Sequence, residues 1–139
     1  MVILFDRFNI PDDIYEIVFS TKQQAIVAKA LVKEFKEHGG ELTKTEMSLF
    51  ATSLHEGNLI TEIDEPPYIG KKVKLSYNKR QFYDRIITPM RSMGMIYLDL
   101  YKKKYTLSDE FSSELHKIGI LWKKELQKSL GTPIKRRKE

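Results

Sequence analysis

The chain has 139 residues, of which 41% are hydrophobic and 31% charged, a size and composition typical of one soluble globular domain. It contains no cysteine, which excludes disulfide frameworks, thiolate zinc sites and cysteine nucleophiles. The net charge of +5 is unevenly distributed, because residues 1–70 carry 6 Lys/Arg and 12 Asp/Glu whereas residues 71–139 carry 18 and 7. A C-terminal half this basic suits a polyanionic partner, although a solvated basic surface without a partner would have the same composition.

The chain lacks an apolar run of membrane-spanning length. Its N-terminal run, residues 1–5, is interrupted by Asp6 and Arg7 and is too short for a signal-peptide core or a membrane span. We therefore expect a cytoplasmic protein that does not contact a membrane.

A short helix is predicted first, over Asn9–Phe19. Pro11 suits its first turn, and the two aspartates that follow suit a helix N-terminus. The apolar side chains expected to face inward are Ile14, Ile17 and Val18.

Two longer helices follow, each with a capping signal at its start and glycine at its end. The first begins at Ser20 or Thr21 and ends at Gly39-Gly40, and the second begins at Thr43 and ends at Gly57. Apolar residues recur at helical spacing in both. These residues are Val27, Ala28, Leu31 and Phe35 in the first helix and Met47, Phe50, Ala51 and Leu54 in the second.

The next segment is irregular, and a third capped helix follows it. Leu59–Ile63 and Lys72–Tyr77 are predicted to be short strands of a hairpin, with an ordered loop as the alternative. Asn78 begins the third helix and Gly94 ends it. Pro89 should kink this helix or divide it after Ile87. Its predicted core residues are Phe82, Ile86, Met90 and Met93.

After Gly94 the apolar period changes from 3.6 to 2, which predicts a β-hairpin over residues 95–107 with Lys102-Lys103-Lys104 at its tip. Ser108 caps a final helix over residues 109–130, and residues 132–139 form a basic tail predicted to be mobile. The apolar stripe of the final helix is Phe111, Leu115, Ile118, Trp122 and Leu126. We expect residues 1–131 to form one mostly helical α+β domain.

Three helices, a lysine-tipped hairpin and a closing helix, in this order, resemble a winged-helix DNA-binding domain. The similarity is greatest over Asn78–Phe111, where Met90-Arg91-Ser92-Met93-Gly94-Met95-Ile96 is similar to the family's junction between recognition helix and wing. The resemblance implies a winged helix-turn-helix, as in prokaryotic and archaeal transcriptional regulators, with an extra N-terminal helix. Two features depart from the family pattern, namely Pro89 and the twenty or so residues between the second and third helices.

A cationic surface is predicted on the third helix and the hairpin tip. The face of the third helix opposite its core stripe is found by placing residues at 100° intervals. This face can present arginine to guanine and an apolar side chain to thymine. The start of the helix can bind phosphates. Lysines at the tip would contact the phosphate backbone. The alternative for the helix is a solvated face, and the alternative for the hairpin tip is an edge whose lysines prevent aggregation. A further alternative is that Tyr97 and Tyr101 stack on the bases of single-stranded nucleic acid. The predicted DNA contacts are Asn78, Lys79, Arg80, Tyr83, Ile87, Arg91, Lys102, Lys103 and Lys104.

Catalysis is not expected. The three histidines, His38, His55 and His116, are far apart and none has the spacing of a metal-ligand pair. The seven glycines form no phosphate-binding loop. We expect no enzyme activity, no cofactor and no metal.

The final helix is longer than a small winged domain needs. Ile120 and Leu121 lie off its apolar stripe and would be exposed in a compact monomer, which predicts a homodimer through this helix. The alternative is that the N-terminal residues Val2–Phe5 cover them.

Together these features predict a sequence-specific double-stranded DNA-binding protein, most simply a transcriptional regulator, with the third helix in the major groove and the hairpin on the backbone. A protein-interaction or assembly module of the same fold is one alternative. A replication initiator or accessory factor is another, and it would bind DNA by the same chemistry.

Overall fold

The computed structural model describes residues 5–62 and 70–130, with the side chains of residues 129 and 130 excepted. The described residues form an α+β structure in which short antiparallel strands lie between helices. Its elements are α1 (Ile14–Val18), α2 (Lys22–Glu37), β1 (Glu41–Thr43), α3 (Lys44–His55), β2 (Leu59–Glu62), β3 (Lys72–Leu75), α4 (Lys79–Phe82), α5 (Thr88–Ser92), β4 (Ile96–Asp99), β5 (Lys104–Leu107) and α6 (Glu110–Leu130).

Helix α1 begins later than its sequence predicts. The Asp13 side chain accepts a hydrogen bond from the Tyr15 amide at 2.8 Å, which makes Asp13 the N-cap and leaves Pro11 outside the helix. Val18 is buried as expected. Ile14 is 38% exposed, so the prediction that it faces inward is wrong. The helix starts at this residue, and its side chain therefore lies at the solvent-exposed N-terminal end.

Helices α2 and α3 are confirmed with their caps. The Thr21 hydroxyl accepts from the Gln24 amide at 3.1 Å. Thr43 and Glu46 form a reciprocal capping box, with backbone-to-side-chain distances of 3.0 and 3.1 Å. The predicted stripes of both helices are buried and form the centre of the core with Phe82, Ile86 and Met90.

Two small antiparallel sheets are present among the described residues. One has the strand order β1-β5-β4, with Leu42 opposite Tyr105 and Tyr105 opposite Leu98. Strand β1 was not predicted, because three residues are too few for an alternating pattern to be recognised. Its central residue, Leu42, is fully buried, so β1 attaches the β4–β5 hairpin to the helical core.

The second sheet confirms the hairpin predicted after α3. Strands β2 and β3 pair with Leu59 opposite Leu75 and Glu62 opposite Lys72. The predicted turn between them lies outside the described residues. Strand β3 ends at Leu75, and Tyr77 is instead buried with its amide donating to the Leu54 carbonyl at 2.9 Å.

Helices α4 and α5 are joined by one π-helical turn, Tyr83–Ile87, so the helix changes type after Ile87, where the sequence predicts a kink or a division. Proline has no N–H, so Pro89 cannot donate to the carbonyl four residues before it. The chain widens there, and the Thr88 amide donates to the Tyr83 carbonyl five residues back. We call residues 79–92 as a whole the divided helix.

Helix α6 starts in close contact with the end of the divided helix. The Phe111 amide donates to the Gly94 carbonyl at 3.0 Å. Gly94 has φ +84°, and a Cβ there would lie 2.9 Å from the Phe111 nitrogen. Beyond Phe111 the apolar stripe of α6 is not covered by the rest of the described chain, since Trp122 is 64% exposed.

A histidine joins the end of α2 to the start of α3. The Nδ1–H of His38 donates to the Glu34 carbonyl at 2.9 Å, and its Nε2 lies 3.2 Å from the Glu46 carboxylate. The hydrogen bond to Glu34, together with the nearby carboxylates, raises the pKa of His38 above its ordinary value, although partial desolvation opposes this effect. Only the doubly protonated ring donates to both partners.

Because the folded-state pKa of His38 is raised, its contribution to stability is fully present below the ordinary imidazole pKa of about 6.5 and is lost as pH rises through the folded value. We expect the melting temperature of the wild type to exceed that of His38→Gln at pH 5.5 and the difference to shrink by pH 8.5. Thermal unfolding across this range measures it. Parallel curves for the two proteins would contradict the expectation.

Gly94→Ala should destabilise the protein more than Gly39→Ala. Both glycines have positive φ, so alanine is strained by about 1 kcal/mol at either position. Only at Gly94 would the new Cβ also meet backbone, whereas nothing lies within 4 Å of it at Gly39. The free energy of unfolding of both variants is measured with urea. Equal losses for Gly94→Ala and Gly39→Ala would show that the backbone at Phe111 moves away from the new Cβ without loss of stability.

Candidate nucleic-acid interface

One face of the divided helix is exposed, and most of its side chains are polar or cationic. Arg80 and Arg91 lie on it as predicted. Ile87 does not: it is 2% exposed, so the prediction that it contacts DNA is wrong. The exposed side chains of this face are Arg80, Gln81, Asp84, Arg85, Thr88, Arg91 and Ser92.

The π-helical turn explains this difference. In such a turn the residue five positions along, rather than four, lies above the starting residue. Ile87 is therefore carried over Phe82 into the core, and Arg85 takes an outward position beside Thr88. A uniform 100° per residue already puts Thr88 on the outward face but places Ile87 outward and Arg85 at the side, although the missing N–H of Pro89 was a signal that the helical phase would change.

Arg80 lies at the exposed end of this face. Its Nε is 3.8 Å from a carboxylate oxygen of Asp84, and the two side chains are 91% and 67% exposed. An ion pair this open to solvent is weak and easily exchanged for another anion. Arg80 can therefore turn to a ligand at little cost.

The two residues before Arg80 serve the start of the helix. The Asn78 side chain accepts from the Gln81 amide at 3.1 Å. Lys79 donates through its backbone to His55 Nδ1 and through its ammonium to the Thr52 hydroxyl, both at 3.1 Å. The Asn78 bond caps the divided helix, and the Lys79 bonds attach it to α3. The predicted phosphate contacts of Asn78 and Lys79 would therefore compete with these structural bonds.

Tyr83 is half-buried at the edge of the exposed face. Its ring lies edge-on to Phe82, with 5.5 Å between centroids. Burial, and next the neighbouring Tyr105, raise the pKa of the Tyr83 hydroxyl, which therefore stays neutral at physiological pH. A neutral phenol can donate a hydrogen bond to a phosphate or a base.

The tip of the β4–β5 hairpin is held by its own hydrogen bonds. One carboxylate oxygen of Asp99 accepts from the Tyr101 and Lys102 amides at 3.0 and 3.1 Å. Lys103 has φ +53°, and its carbonyl accepts from the Lys44 amide at 3.0 Å. The turn is thus ordered before any ligand arrives.

Two of the three predicted lysines project from this tip. Lys102 and Lys103 are exposed beside Tyr101, which is 99% exposed. Lys104 lies within β5, and its ammonium is 3.4 Å from the Glu41 carboxylate on β1. The three lysines are therefore not equivalent, because Lys104 has an internal partner across the sheet.

A groove connects the divided helix to the hairpin. It lies between α5 and β4 and has a volume of about 410 Å³. An arginine and three hydroxyl-bearing side chains contribute donors for a phosphate or sugar. The lining residues are Thr88, Arg91, Ser92, Ile96, Tyr97 and Leu98.

Two other kinds of site are absent from the described part of the chain. Among residues 5–62 and 70–130, no three His, Asp or Glu side chains are placed together so that they could hold a metal ion. No helix in these ranges has both the length and the apolar character needed to cross a membrane.

Comparisons with known proteins add nothing to this surface. No protein-family model matches the chain, and neither a curated protein nor a solved structure matches it. The function must therefore be inferred from these residues themselves.

Proposed function

We propose that this protein is a winged-helix, sequence-specific double-stranded DNA-binding protein, most simply a transcriptional regulator. The divided helix would enter the major groove, and the β4–β5 hairpin would act as a wing on the phosphate backbone. The observation that carries the proposal is the groove between α5 and β4, which is lined by Arg91 of the exposed face and by Tyr97 of the hairpin strand that leads to the lysine tip. A major groove is wide enough for one such helix.

The order of elements supports the proposal. Helices α2 and α3, the divided helix, the hairpin and α6 follow one another as the resemblance requires. The extra residues between α3 and the divided helix form a separate two-stranded sheet, β2–β3, which does not pair with the wing strands. Pro89 is accommodated by a π-helical turn, so the helix continues to Ser92.

The exposed face contains groups suited to two tasks. Arg80 and Arg85 can each donate two hydrogen bonds to guanine, and the Thr88 methyl can contact thymine. Arg91, which lines the groove, and the exposed Lys102 and Lys103 can each contact a phosphate. We therefore assign specificity to the first group and sequence-independent affinity to the second.

A protein-assembly module is the second candidate, and the exposed apolar stripe of α6 favours it. The dependence of duplex binding on salt separates the two. DNA binding through several phosphates gives a steep negative slope of log K against log salt, and an assembly module gives no binding at all.

Replacing the arginines of the face should separate the two tasks. We expect Arg80→Ala and Arg85→Ala each to weaken binding to a selected site by about 1–3 kcal/mol and to relax discrimination at particular base pairs. Arg91→Ala should weaken binding to selected and random duplex alike. The control is Lys36→Ala, an exposed cation on α2. Dissociation constants on both duplexes at fixed salt provide the test.

Equal, sequence-independent losses for all three arginine variants would mean that the divided helix does not contact bases. Unchanged binding in all of them, with the variants folded, would remove this face from the DNA-binding surface.

The tip should show opposite effects on stability and binding. Lys103→Gly removes a left-handed lysine that costs about 1 kcal/mol, so it should raise the melting temperature. It also removes one cation, so it should lower duplex affinity and flatten the salt slope by about 0.9. Lys102→Ala should flatten the slope equally without stabilising the protein.

Lys104→Ala is the matched control for both tip variants, because its ammonium is already paired with Glu41. Salt slopes that are the same for wild type, Lys102→Ala and Lys103→Gly would exclude the tip from the DNA contact.

A further inference from the structure

We propose that α6 pairs antiparallel with α6 of a second copy of this chain, about a two-fold axis close to Leu121. The proposal starts from an uncovered surface. Ile118, Leu121 and Trp122 are 57%, 63% and 64% exposed along a helix about 31 Å long. Isolated helices are marginal in water, and their stability in proteins comes from packing of the apolar face.

The described N-terminal residues do not cover this face. Phe5 is 61% exposed and Phe8 is 80% exposed, so both are themselves without apolar cover. Val2–Leu4, the other residues expected to pack there, lie outside the described part of the chain. The stripe therefore requires an occupant, and the charges beside it indicate which one.

Four charges beside the stripe are arranged antisymmetrically about Leu121. Glu114 and Lys128 stand seven residues before and after it, and Lys117 and Glu125 stand four residues before and after it. At 100° per residue, all five positions fall within an arc of about 80° on one flank. Reversing the helix about Leu121 therefore exchanges every glutamate position for a lysine position.

This pattern makes the flank complementary to itself in an antiparallel pair, since a two-fold axis across two antiparallel helices brings like flanks together. Glu114 would then face Lys128 of the partner subunit, and Lys117 would face Glu125 of the partner subunit. Within one chain these residues already form solvated pairs, Lys117–Glu114 at 3.2 Å and Lys128–Glu125 at 3.8 Å. In a parallel pair, opposite flanks of the two helices would meet. The charged flank would then face the other flank of α6 in the partner subunit, whose one full charge is Lys123.

A glycine in the middle of α6 supports the same axis. Gly119 costs the helix about 1 kcal/mol relative to alanine. Nothing in its own chain lies within 4 Å of the position that a Cβ would occupy, so no contact within the described chain requires it. In the antiparallel pair Gly119 lies nearly level with Trp122 of the partner subunit, where the missing side chain leaves room for the indole ring.

The pairing also places apolar side chains against one another. Leu115 lies within about 1.5 Å of the level of Leu126 of the partner subunit, and Ile118 within about 3 Å of the level of Trp122 of the partner subunit. Leu121 stays in the interface, as its sequence predicted. Ile120 projects about 160° from the stripe at helical spacing and is outside the proposed seam.

Charge reversal tests the axis directly. Wild type should sediment as a dimer, and Glu114→Lys alone or Lys128→Glu alone should raise the dimer dissociation constant about tenfold, because each change acts at two symmetry-related places. The double variant, Glu114→Lys with Lys128→Glu, should restore the dimer, since it exchanges the two charges that face each other. Glu114→Lys with Lys117→Glu is the matched control that should not restore it.

Gly119→Ala gives an independent measurement. It should stabilise the helix of the monomer yet weaken the dimer, because the new Cβ meets the partner's Trp122. Trp122 is the only tryptophan, so dilution through dissociation should shift its fluorescence to the red. Circular dichroism at matched concentration verifies that each variant is folded.

A wild type that stays monomeric at about 1 mM would overturn the proposal. So would a dimer whose double charge variant is no tighter than the single variants, or one that Gly119→Ala leaves unchanged or tightens. If deleting residues 1–4 from a monomeric wild type shifts the Trp122 emission to the red, the occupant is the N-terminal segment. Because sedimentation is measured without DNA, its outcome is independent of the proposed function.

Discussion

The missing N–H of Pro89 is the constraint on which the candidate surface depends. It forces one π-helical turn into the divided helix, and that turn brings Ile86 and Ile87 into the core side by side. The same turn moves Arg85 to the outside, beside Thr88. An unbroken α-helix would have presented Ile87 on the face where the protein presents Arg85, so this part of the face's chemistry follows from one absent hydrogen-bond donor.

The end of that helix also sets the position of everything after it. The Met95 amide donates to the Met90 carbonyl, the Ser108 amide to the Met95 carbonyl and the Phe111 amide to the Gly94 carbonyl. These bonds connect the divided helix, both ends of the hairpin and the first turn of α6. The groove at Arg91 and the direction of α6 are therefore consequences of the same few backbone contacts.

The sequence predicted the features whose causes are local. Caps at Thr21, Thr43 and Asn78 are each decided within three residues, and so were found. The position of Ile87 was missed because its burial depends on a helical phase that Pro89 alters two residues later. The pairing of Lys104 with Glu41 could not be seen, because these residues are far apart in the chain and meet only across the unpredicted strand β1.

Two surface regions contain residues that break local rules of conformation, although the Lys103 carbonyl accepts from the Lys44 amide. Lys103 occupies a left-handed conformation that glycine would adopt freely, and Gly119 interrupts a helix that alanine would favour. Departures of this kind are expected where a surface serves a partner rather than the fold. The tip at Lys103 is cationic, whereas the flank of α6 around Leu121 balances its glutamates with lysines. Two surfaces of such different charge are the basis of the two partners that we propose, a polyanion at the hairpin and a second copy of the chain along α6.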